Sequence, residues 1–341
     1  MEPVMLAPPK RLIDVEIDGE TVRVPEGATL LDALRAKGVD TPTLCYSENL
    51  TPANACRVCV VELEGSRTLV PSCARTAEAG MQVATDSQRV RTSRRMVLEF
   101  LASSVDLSLA NDDVRRWISD YGVDAERYGE QAAPAPLGER DTRHAGHHHE
   151  PDGTRAETVA QPVKVDNDLY VRDYERCILC YKCVEACGVD AQNTFAIAVA
   201  GRGFDARIST EFDVTLPDSA CVYCGNCIGV CPTGALMFKS EHDMREGGTW
   251  NEEAQTVTET ICPYCGVGCD LELHVQDNEI VKVSSPLDNS ITSGHLCIKG
   301  RFGFQFVQNR GPKDADAAAR GLGIVEGPAD RIARDTGDPD A

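Results

Sequence analysis

Sixteen cysteines constrain this chain more than any other feature of its 341 residues. They fall into four groups of four, with short spacings inside each group and no cysteine left over. The groups are Cys45, Cys56, Cys59 and Cys73; Cys177, Cys180, Cys183 and Cys187; Cys221, Cys224, Cys227 and Cys231; and Cys262, Cys265, Cys269 and Cys297. Local runs of this kind bind metal more readily than they form a framework of disulfide bonds. Because thiolates are soft ligands and an iron–sulfur cluster takes four of them, the pattern predicts four clusters and a protein that carries electrons.

The bulk properties exclude several classes of partner. The formal net charge of −20 argues against nucleic acids and anionic membrane surfaces, since both need a basic binding face. Apolar runs are short and interrupted by charge, so the sequence predicts no membrane insertion. Met1 to Arg11 lack the apolar stretch of a secretory signal. Together with metal-binding cysteines, this predicts a cytoplasmic location.

The residues ahead of the first cysteine group predict a hairpin followed by a helix. Residues 12–25 alternate apolar and polar side chains around a central turn, which is typical of a β-hairpin. Thr29 is expected to cap a helix over residues 30–37, with Asp32 at its third position and Gly38 at its end. This order of elements is similar to that of plant-type ferredoxins.

The first cysteine group has ten residues between Cys45 and Cys56, where a plant-type ferredoxin has four. The longer spacing resembles the N-terminal [2Fe–2S] domain of NADH dehydrogenase large subunits, iron-only hydrogenases and NAD-linked formate dehydrogenases. The resemblance implies a β-grasp [2Fe–2S] domain over residues 10–86. A structural zinc site is the alternative, since it also needs four cysteines, but zinc would not explain the hairpin and helix.

The second and third groups repeat the spacing C-x2-C-x2-C-x3-C, in CILCYKCVEAC and CVYCGNCIGVC. This motif resembles that of bacterial two-cluster ferredoxins and implies a ferredoxin-like domain with two [4Fe–4S] clusters over residues 166–245. In that fold the fourth cysteine of each run ligates the other cluster, which assigns Cys231 to the first run and Cys187 to the second. Pro232 follows the last cysteine as the motif expects. Gly188 replaces the proline of the first run, which is expected to change the local turn and not the ligands.

The fourth group lies in CPYCGVGC and in LCIKGRFG. It resembles the small [4Fe–4S] domain of molybdopterin oxidoreductases, over residues 256–311, and most closely that of formate dehydrogenase catalytic subunits. Gly266 and Gly268 would let the backbone wrap closely around a cluster. In that family a lysine after the last cysteine lies between cluster and pterin, and Lys299 matches it. An ordinary surface lysine is the alternative.

Residues 12–310 resemble, module by module, the N-terminal electron-transfer half of the large subunit of NAD-linked formate dehydrogenases, which is related to the NADH dehydrogenase large subunit. The resemblance implies an α+β, multidomain iron–sulfur protein with one [2Fe–2S] cluster and three [4Fe–4S] clusters. It also implies electron relay between a molybdopterin catalytic subunit and a flavin subunit that reduces NAD. The chain is therefore expected to be a subunit of an oxidoreductase that is not catalytic on its own.

Two features depart from that family. Its members often hold a cluster with one histidine and three cysteines after the β-grasp domain, whereas a helical segment without either residue type is predicted over residues 87–128. The pterin domains and their catalytic residues should begin near residue 311, where an acidic tail over residues 312–341 is predicted to be disordered. A disordered linker rich in Ala, Pro, Gly, Glu and His is predicted over residues 129–165.

Other hypotheses explain part of the sequence. The same clusters would suit the iron–sulfur subunit of a hydrogenase or of an NADH:quinone oxidoreductase, or a free ferredoxin-like carrier. The CPYCGVGC and GRFG motifs favour the formate dehydrogenase type, because hydrogenases have their own catalytic domain in this place. A truncated copy of a full-length formate dehydrogenase is a further alternative.

Overall fold

The computed structural model describes residues 10–131, 146–148, 152–161, 163–287 and 291–305. These residues form three modules, which correspond in order to the first, the second with the third, and the fourth cysteine group. Short 3-10 helices connect the elements of the second and third modules, at Tyr174–Arg176, Gly203–Asp205, Glu211–Asp213, Leu216–Asp218 and Glu252–Ala254.

The first module is a five-stranded sheet with one helix packed against it. Its elements are β1 (Leu12–Ile17), β2 (Glu20–Pro25), α1 (Leu30–Lys37), β3 (Val60–Leu63), β4 (Val70–Pro71) and β5 (Gln82–Ala84). The strand order is β2-β1-β5-β3-β4. Strand β1 pairs in parallel with β5 and antiparallel with β2. Val15, Ile17 and Leu34 are fully buried between sheet and helix. This mixed sheet crossed by one helix is the predicted β-grasp arrangement.

Local signals set the ends of these first elements. Asp18 and Gly19 have φ of 50° and 81°, which a two-residue type I′ hairpin turn requires. The Thr29 hydroxyl accepts a hydrogen bond from the Asp32 N–H at 3.1 Å, and the Asp32 carboxylate accepts one from the Thr29 N–H at 2.7 Å. Gly38 ends α1 in the left-handed conformation, at φ 82°. The predicted hairpin, capping box and helix end are all confirmed.

Two helices follow, α2 (Gln88–Ser104) and α3 (Asp112–Asp120). Both helices lie within the helical segment predicted over residues 87–128. Leu98 and Trp117 from these helices pack with Leu44 and Val58, the neighbours of Cys45 and Cys59 in the sequence. An apolar core thus lies directly beside the first cysteine group.

The segment predicted to be a disordered linker carries structure. Strands β6 (Gly146–His148) and β7 (Thr158–Ala160) pair antiparallel. The side-chain amide of Gln131 donates to the carbonyl of Ala102 on α2 at 2.6 Å, and the Ala156 N–H donates to the Glu130 carbonyl at 3.0 Å. Residues 152–161 of the predicted linker thus make contacts that composition does not reveal. Residues 132–145, and the tail predicted to be disordered, lie outside the described residues.

The second module consists of very short elements. They are β8 (Tyr170–Arg172), α4 (Lys182–Cys187), β9 (Ala198–Ala200), β10 (Arg207–Ser209), α5 (Asn226–Gly229), β11 (Leu236–Phe238) and α6 (Lys239–Glu246). β8 pairs with β11 and β9 with β10, both antiparallel. The buried core places Cys183 among Tyr174, Ile197, Ile208 and Leu236, and further cysteines pack against it. The cysteine side chains are thus a large part of this core.

The third module is an antiparallel sheet with one short helix. Its elements are β12 (Thr256–Ile261), β13 (Asp270–Gln276), β14 (Glu279–Ser284) and α7 (Ile298–Phe302), in the strand order β12-β13-β14. Val283 of β14 and Leu271 of β13 form the core with Leu296 and Cys262. Across the part of the chain that the structure describes, no helix is long and apolar enough to cross a membrane.

Candidate metal centres

The first cysteine group lies beside α1, where Cys59 and Cys73 pack against Leu31. Cys45, Cys59 and Cys73 are buried and Cys56 is half-buried. Hydrogen bonds from the thiols of Cys56 and Cys73 lower the pKa of Cys45 to about 2. A hydrogen bond from Cys73 likewise lowers the pKa of Cys59 to about 6. Each of the four sulfurs therefore lies within hydrogen-bonding reach of at least one other, which links Cys56 to Cys45, Cys45 to Cys73 and Cys73 to Cys59.

The backbone around Cys56 turns tightly about this centre. Asn54 and Arg57 have φ of 53° and 58°, a left-handed conformation that costs a non-glycine residue roughly 1–2 kcal/mol. Ala55 and Arg57 are exposed. The first centre is thus closest to solvent at Cys56.

The second and third cysteine groups share one loop conformation. The N–H of Leu179 donates to the sulfur of Cys177 at 3.4 Å, and the N–H of Tyr223 donates to the sulfur of Cys221 at the same distance. Both donors are left-handed, with φ of 51° and 55°. Backbone N–H groups turned inward in this way create a concave site for an anion, such as a cluster held by thiolates. The internal repeat seen in the sequence is therefore a repeat of the binding loop.

The fold exchanges the last cysteines of these two runs. Burial, together with the charge of Cys231, raises the pKa of Cys177 to about 12 and that of Cys180 to about 11. The charge of Cys187 likewise raises the pKa of Cys227. Two groups of close cysteines result: one contains Cys177, Cys180, Cys183 and Cys231, and the other contains Cys187, Cys221, Cys224 and Cys227. The structure therefore brings together the sets that the ferredoxin motif implies.

Gly188 lies where the first run lacks its proline. A Cβ at this position would approach the Val184 carbonyl oxygen to 3.2 Å and the Phe195 ring to 3.3 Å. The N–H of Gly188 donates to the Val184 carbonyl at 2.8 Å, which a proline could not do. The substitution thus changes how α4 ends.

The fourth cysteine group lies at one end of the third module. Cys262 and Cys269 flank the loop between β12 and β13, where the Cys262 N–H donates to the Cys269 carbonyl at 2.8 Å. Cys297 immediately precedes α7. Cys265 and Cys297 are exposed. This centre is the most open of the four.

Exposed apolar side chains surround that opening. They are Ile261, Tyr264, Val267 and Ile298. Lys299, the predicted pterin neighbour, is also exposed, and no described acidic residue forms an ion pair with it. Apolar side chains grouped on a surface are typical of a face that another unit covers.

The donor chemistry suits clusters. In the described ranges, no three His, Cys, Asp or Glu side chains converge as a site for a single ion requires. Zinc would need four sulfurs about 2.3 Å from one point, whereas a cluster spreads its four cysteines over several irons. The cysteine groups, with N–H donors aimed at their sulfurs, fit such a spread arrangement.

The ten-residue segment between Cys45 and Cys56 is an intermodule contact that the sequence interpretation missed. Leu50 is buried against Ala186 and Val230 of the second module. The N–H and hydroxyl of Thr51 donate to the Asp190 carboxylate at 2.6 and 3.0 Å. The available signal was the spacing itself, which is longer than a plant-type ferredoxin needs.

The same segment reaches the third module. The Asn49 side-chain amide donates to the Ser293 carbonyl at 2.7 Å and lies 3.2 Å from the Nε2 atom of His295. Residues 46–55 therefore contact both other modules, and we name them the docking loop.

Replacing Asp190 by alanine is expected to release the docking loop from the second module. Hydrogen bonds to a charged group contribute about 1.5–3 kcal/mol to stability. In the variant, the Thr51 amide hydrogen should therefore exchange with solvent faster, by at least about 10-fold. Hydrogen exchange followed by mass spectrometry measures this. Asp152→Ala is the matched control, since Asp152 accepts the same two kinds of bond from Thr154 in its own segment. Equal protection of Thr51 in both variants would contradict the assignment.

The first and second modules also meet at their cysteines. Ile178, which lies between Cys177 and Cys180, packs against the core that contains Leu44 and Val58. The charge of Cys45 raises the pKa of Cys180. The first centre is thus adjacent to the centre of Cys180.

The second and third modules meet at Arg301. Its Nε donates to the Cys224 carbonyl at 3.0 Å, and the Leu296 N–H donates to the Asn226 side chain at 2.9 Å. The fourth cysteine group therefore adjoins the centre of Cys224. Across the described modules, packed or hydrogen-bonded residues thus connect the first and fourth cysteine groups to the second module.

Three family models match the chain. Residues 10–88 match the 2Fe-2S iron-sulfur cluster binding domain, residues 176–235 the 4Fe-4S dicluster domain, and residues 255–309 the molybdopterin oxidoreductase Fe4S4 domain. The matched ranges contain all four cysteine groups.

Relatives include proteins of several redox systems. One component of an NADH-quinone oxidoreductase of Rhizobium meliloti is 33% identical over 303 residues, which cover 88% of this chain and 32% of that protein. A candidate formate dehydrogenase of Staphylococcus haemolyticus is 24% identical over 342 residues, covering 86% of this chain and 31% of the relative. The chain thus spans about a third of the length of these relatives.

A solved structure shares the fold. It is the crystal structure of an NAD+-reducing [NiFe]-hydrogenase in its H2-reduced state, with a TM-score of 0.52 and 25% identity. The match covers 67% of this chain and 87% of that one. With the three domain matches, it follows that this chain is a multidomain iron–sulfur protein, in which a [2Fe–2S] domain, a [4Fe–4S] dicluster domain and a molybdopterin oxidoreductase [4Fe–4S] domain follow one another.

Proposed function

We propose that this chain relays single electrons through one [2Fe–2S] cluster and three [4Fe–4S] clusters. The [2Fe–2S] cluster is held by Cys45, Cys56, Cys59 and Cys73, and the [4Fe–4S] clusters by Cys177, Cys180, Cys183 and Cys231, by Cys187, Cys221, Cys224 and Cys227, and by Cys262, Cys265, Cys269 and Cys297. Iron supplies the one-electron chemistry when it is bound. The protein would supply four thiolates for each cluster, and backbone N–H donors to sulfur in the second and third cysteine groups.

The observation that carries this proposal is the unbroken contact between neighbouring centres. Ile178 links the first centre to that of Cys180. In the second module, each centre includes one cysteine from the other run, which is Cys231 in one centre and Cys187 in the other. Arg301 links Cys224 to the third module. The cysteine side chains would therefore hold the clusters in one series from the fourth group to the first, and bound clusters would supply the one-electron chemistry along it.

The open end of the relay suits a molybdopterin catalytic subunit. Cys265 and Cys297 are exposed within an apolar surround, which a partner would cover. Lys299 extends from the same face, where its positive charge would stabilise an anionic pterin. The family of the third domain favours a molybdopterin partner, and the formate dehydrogenase-like relative favours formate as the substrate of the assembled complex.

The other end suits a flavin subunit that reduces NAD. The first centre approaches solvent at Cys56, beside exposed Ala55 and Arg57. Relatives of this chain are named as NADH-linked and NAD+-reducing proteins, which supports a nicotinamide-linked partner here. On this proposal the chain belongs to a formate dehydrogenase-type complex.

A second candidate is the iron–sulfur subunit of an NADH:quinone oxidoreductase or a hydrogenase. It is favoured by the relative from Rhizobium meliloti and by the hydrogenase structure, both of which share more sequence identity with this chain than the formate dehydrogenase-like relative does. The two candidates differ in the partner at the open end, since only the first requires a pterin.

Anaerobic purification of the tagged chain from its native host tests both. The primary proposal expects about fourteen irons on this chain, a pterin subunit and a flavin subunit in the preparation, and NAD reduction that depends on formate. NAD reduction with hydrogen, or quinone reduction without molybdenum or tungsten, would favour the second candidate. An iron-free chain would contradict the electron relay itself.

A further inference from the structure

Arg301 is a buried charge with neutral hydrogen-bond partners. The residue is 1% exposed, at the junction of the second and third modules. Its guanidinium donates to the Cys224 carbonyl at 3.0 Å, the Asn226 side-chain oxygen at 3.2 Å, the Val283 carbonyl at 3.3 Å and the Gly294 carbonyl at 3.4 Å. No carboxylate among the described residues forms an ion pair with it. The groups of opposite charge that act on it are Cys224 and Cys227 in their thiolate form.

A buried guanidinium without a counter-ion is costly, because it gives up its hydration and receives no opposite charge in return. A [4Fe–4S] cluster with four thiolates provides that charge. The cluster is anionic, and one more negative charge accumulates on it when it is reduced. The fold thus places an unpaired positive charge beside the loop that presents Cys224.

The loop is shaped to admit this side chain. Gly225 has φ of 69°, and a Cβ there would lie 2.3 Å from the Cδ atom of Arg301 and 3.0 Å from the ring of Phe302. The equivalent position of the other run is Tyr181, which has nearly the same φ of 64°. The two loops therefore share a backbone, and glycine is needed only where Arg301 packs.

We propose that Arg301 sets the reduction potential of the cluster held by Cys187, Cys221, Cys224 and Cys227, by stabilising its reduced state. The inference rests on the proposed clusters. The step is the transfer of one electron from a neighbouring cluster, which is oxidised as this one is reduced, and no bond forms or breaks. Arg301 is a positioning residue: it places a positive charge beside this cluster and contacts no substrate.

The test is an anaerobic redox titration of the full chain with its clusters, followed by electron paramagnetic resonance. In Arg301→Gln, which removes the charge, one [4Fe–4S] component should shift to lower potential by 59 mV or more, a tenfold change in its ratio of reduced to oxidised form. Arg301→Lys keeps the charge and should stay close to the wild type. Asn226→Asp places a carboxylate beside an intact Arg301, so it should lower the same potential without removing the arginine.

Arg94→Gln is the matched control, since Arg94 is also buried but donates to Tyr121 and Val60 of the first module. It should leave all three [4Fe–4S] potentials unchanged. The proposal is overturned if Arg301→Gln and Arg301→Lys shift the potential equally, or if neither Arg301→Gln nor Asn226→Asp shifts it. A wild-type chain that binds no iron would instead contradict the electron relay, which separates the two failures.

Discussion

Replacing Cys180 and Cys231 together by alanine is expected to abolish one cluster of the second module and leave the other intact. Replacing Cys224 and Cys231 together is expected to leave neither intact. The reason is that Cys231 lies with Cys180 in space, although it belongs to the run of Cys224 in the sequence. Ligation within each run would give the opposite pair of results.

Iron analysis and electron paramagnetic resonance of the reduced variants distinguish these outcomes. The first variant should lose about four of roughly fourteen irons and keep one unaltered [4Fe–4S] signal from this module. The second should show two altered centres. Cys180→Ala with Cys187→Ala provides the reciprocal control, since these two cysteines share a run but lie in different groups. That variant should also leave no intact centre in the module.

Removal of iron is expected to unfold the second module and spare the first. The strands of the second module are three residues long, and its helices α4 and α5 have six and four residues, far below the length at which such elements are stable alone. Its core is built around Cys183. Binding of metal to such a core supplies the free energy of folding.

The first module has a core of its own. Val15, Ile17 and Leu34 are fully buried between a five-stranded sheet and α1. After anaerobic chelation, hydrogen exchange should therefore accelerate across β8, β11 and α4 by orders of magnitude and remain slow in β1 and α1. The cluster-loaded chain is the reference. Protection that persists in β8 and β11 without iron would show that the second module folds independently of its clusters.

Elements whose causes are local were predicted correctly. The hairpin follows from the alternation along β1 and β2, and α1 begins and ends at Thr29 and Gly38, whose conformational preferences are intrinsic. Residues 152–161 of the predicted linker illustrate the converse. That segment is held by hydrogen bonds near Gln131 and by burial against other elements, which its own composition does not encode.

The docking loop shows what spacing can and cannot convey. Ten residues between Cys45 and Cys56 indicate a departure from plant-type ferredoxins, but the sequence does not say what the added length contacts. The structure shows that Leu50, Thr51 and Asn49 join the first module to both others. Arg301 is similar, since a motif contains it while only packing reveals that its charge is buried and unpaired.

By itself, the sequence determined that this is a chain of cysteine ligand sets in a β-grasp, a dicluster and a molybdopterin oxidoreductase-type domain. Ligand number, ligand spacing and turn residues act over a few positions, so they can be recognised without a fold. Only the tertiary structure decided that Thr51 binds Asp190 and that Arg301 reaches Cys224. Such pairs lie far apart along the chain, and it is the burial of many side chains together that brings them into contact.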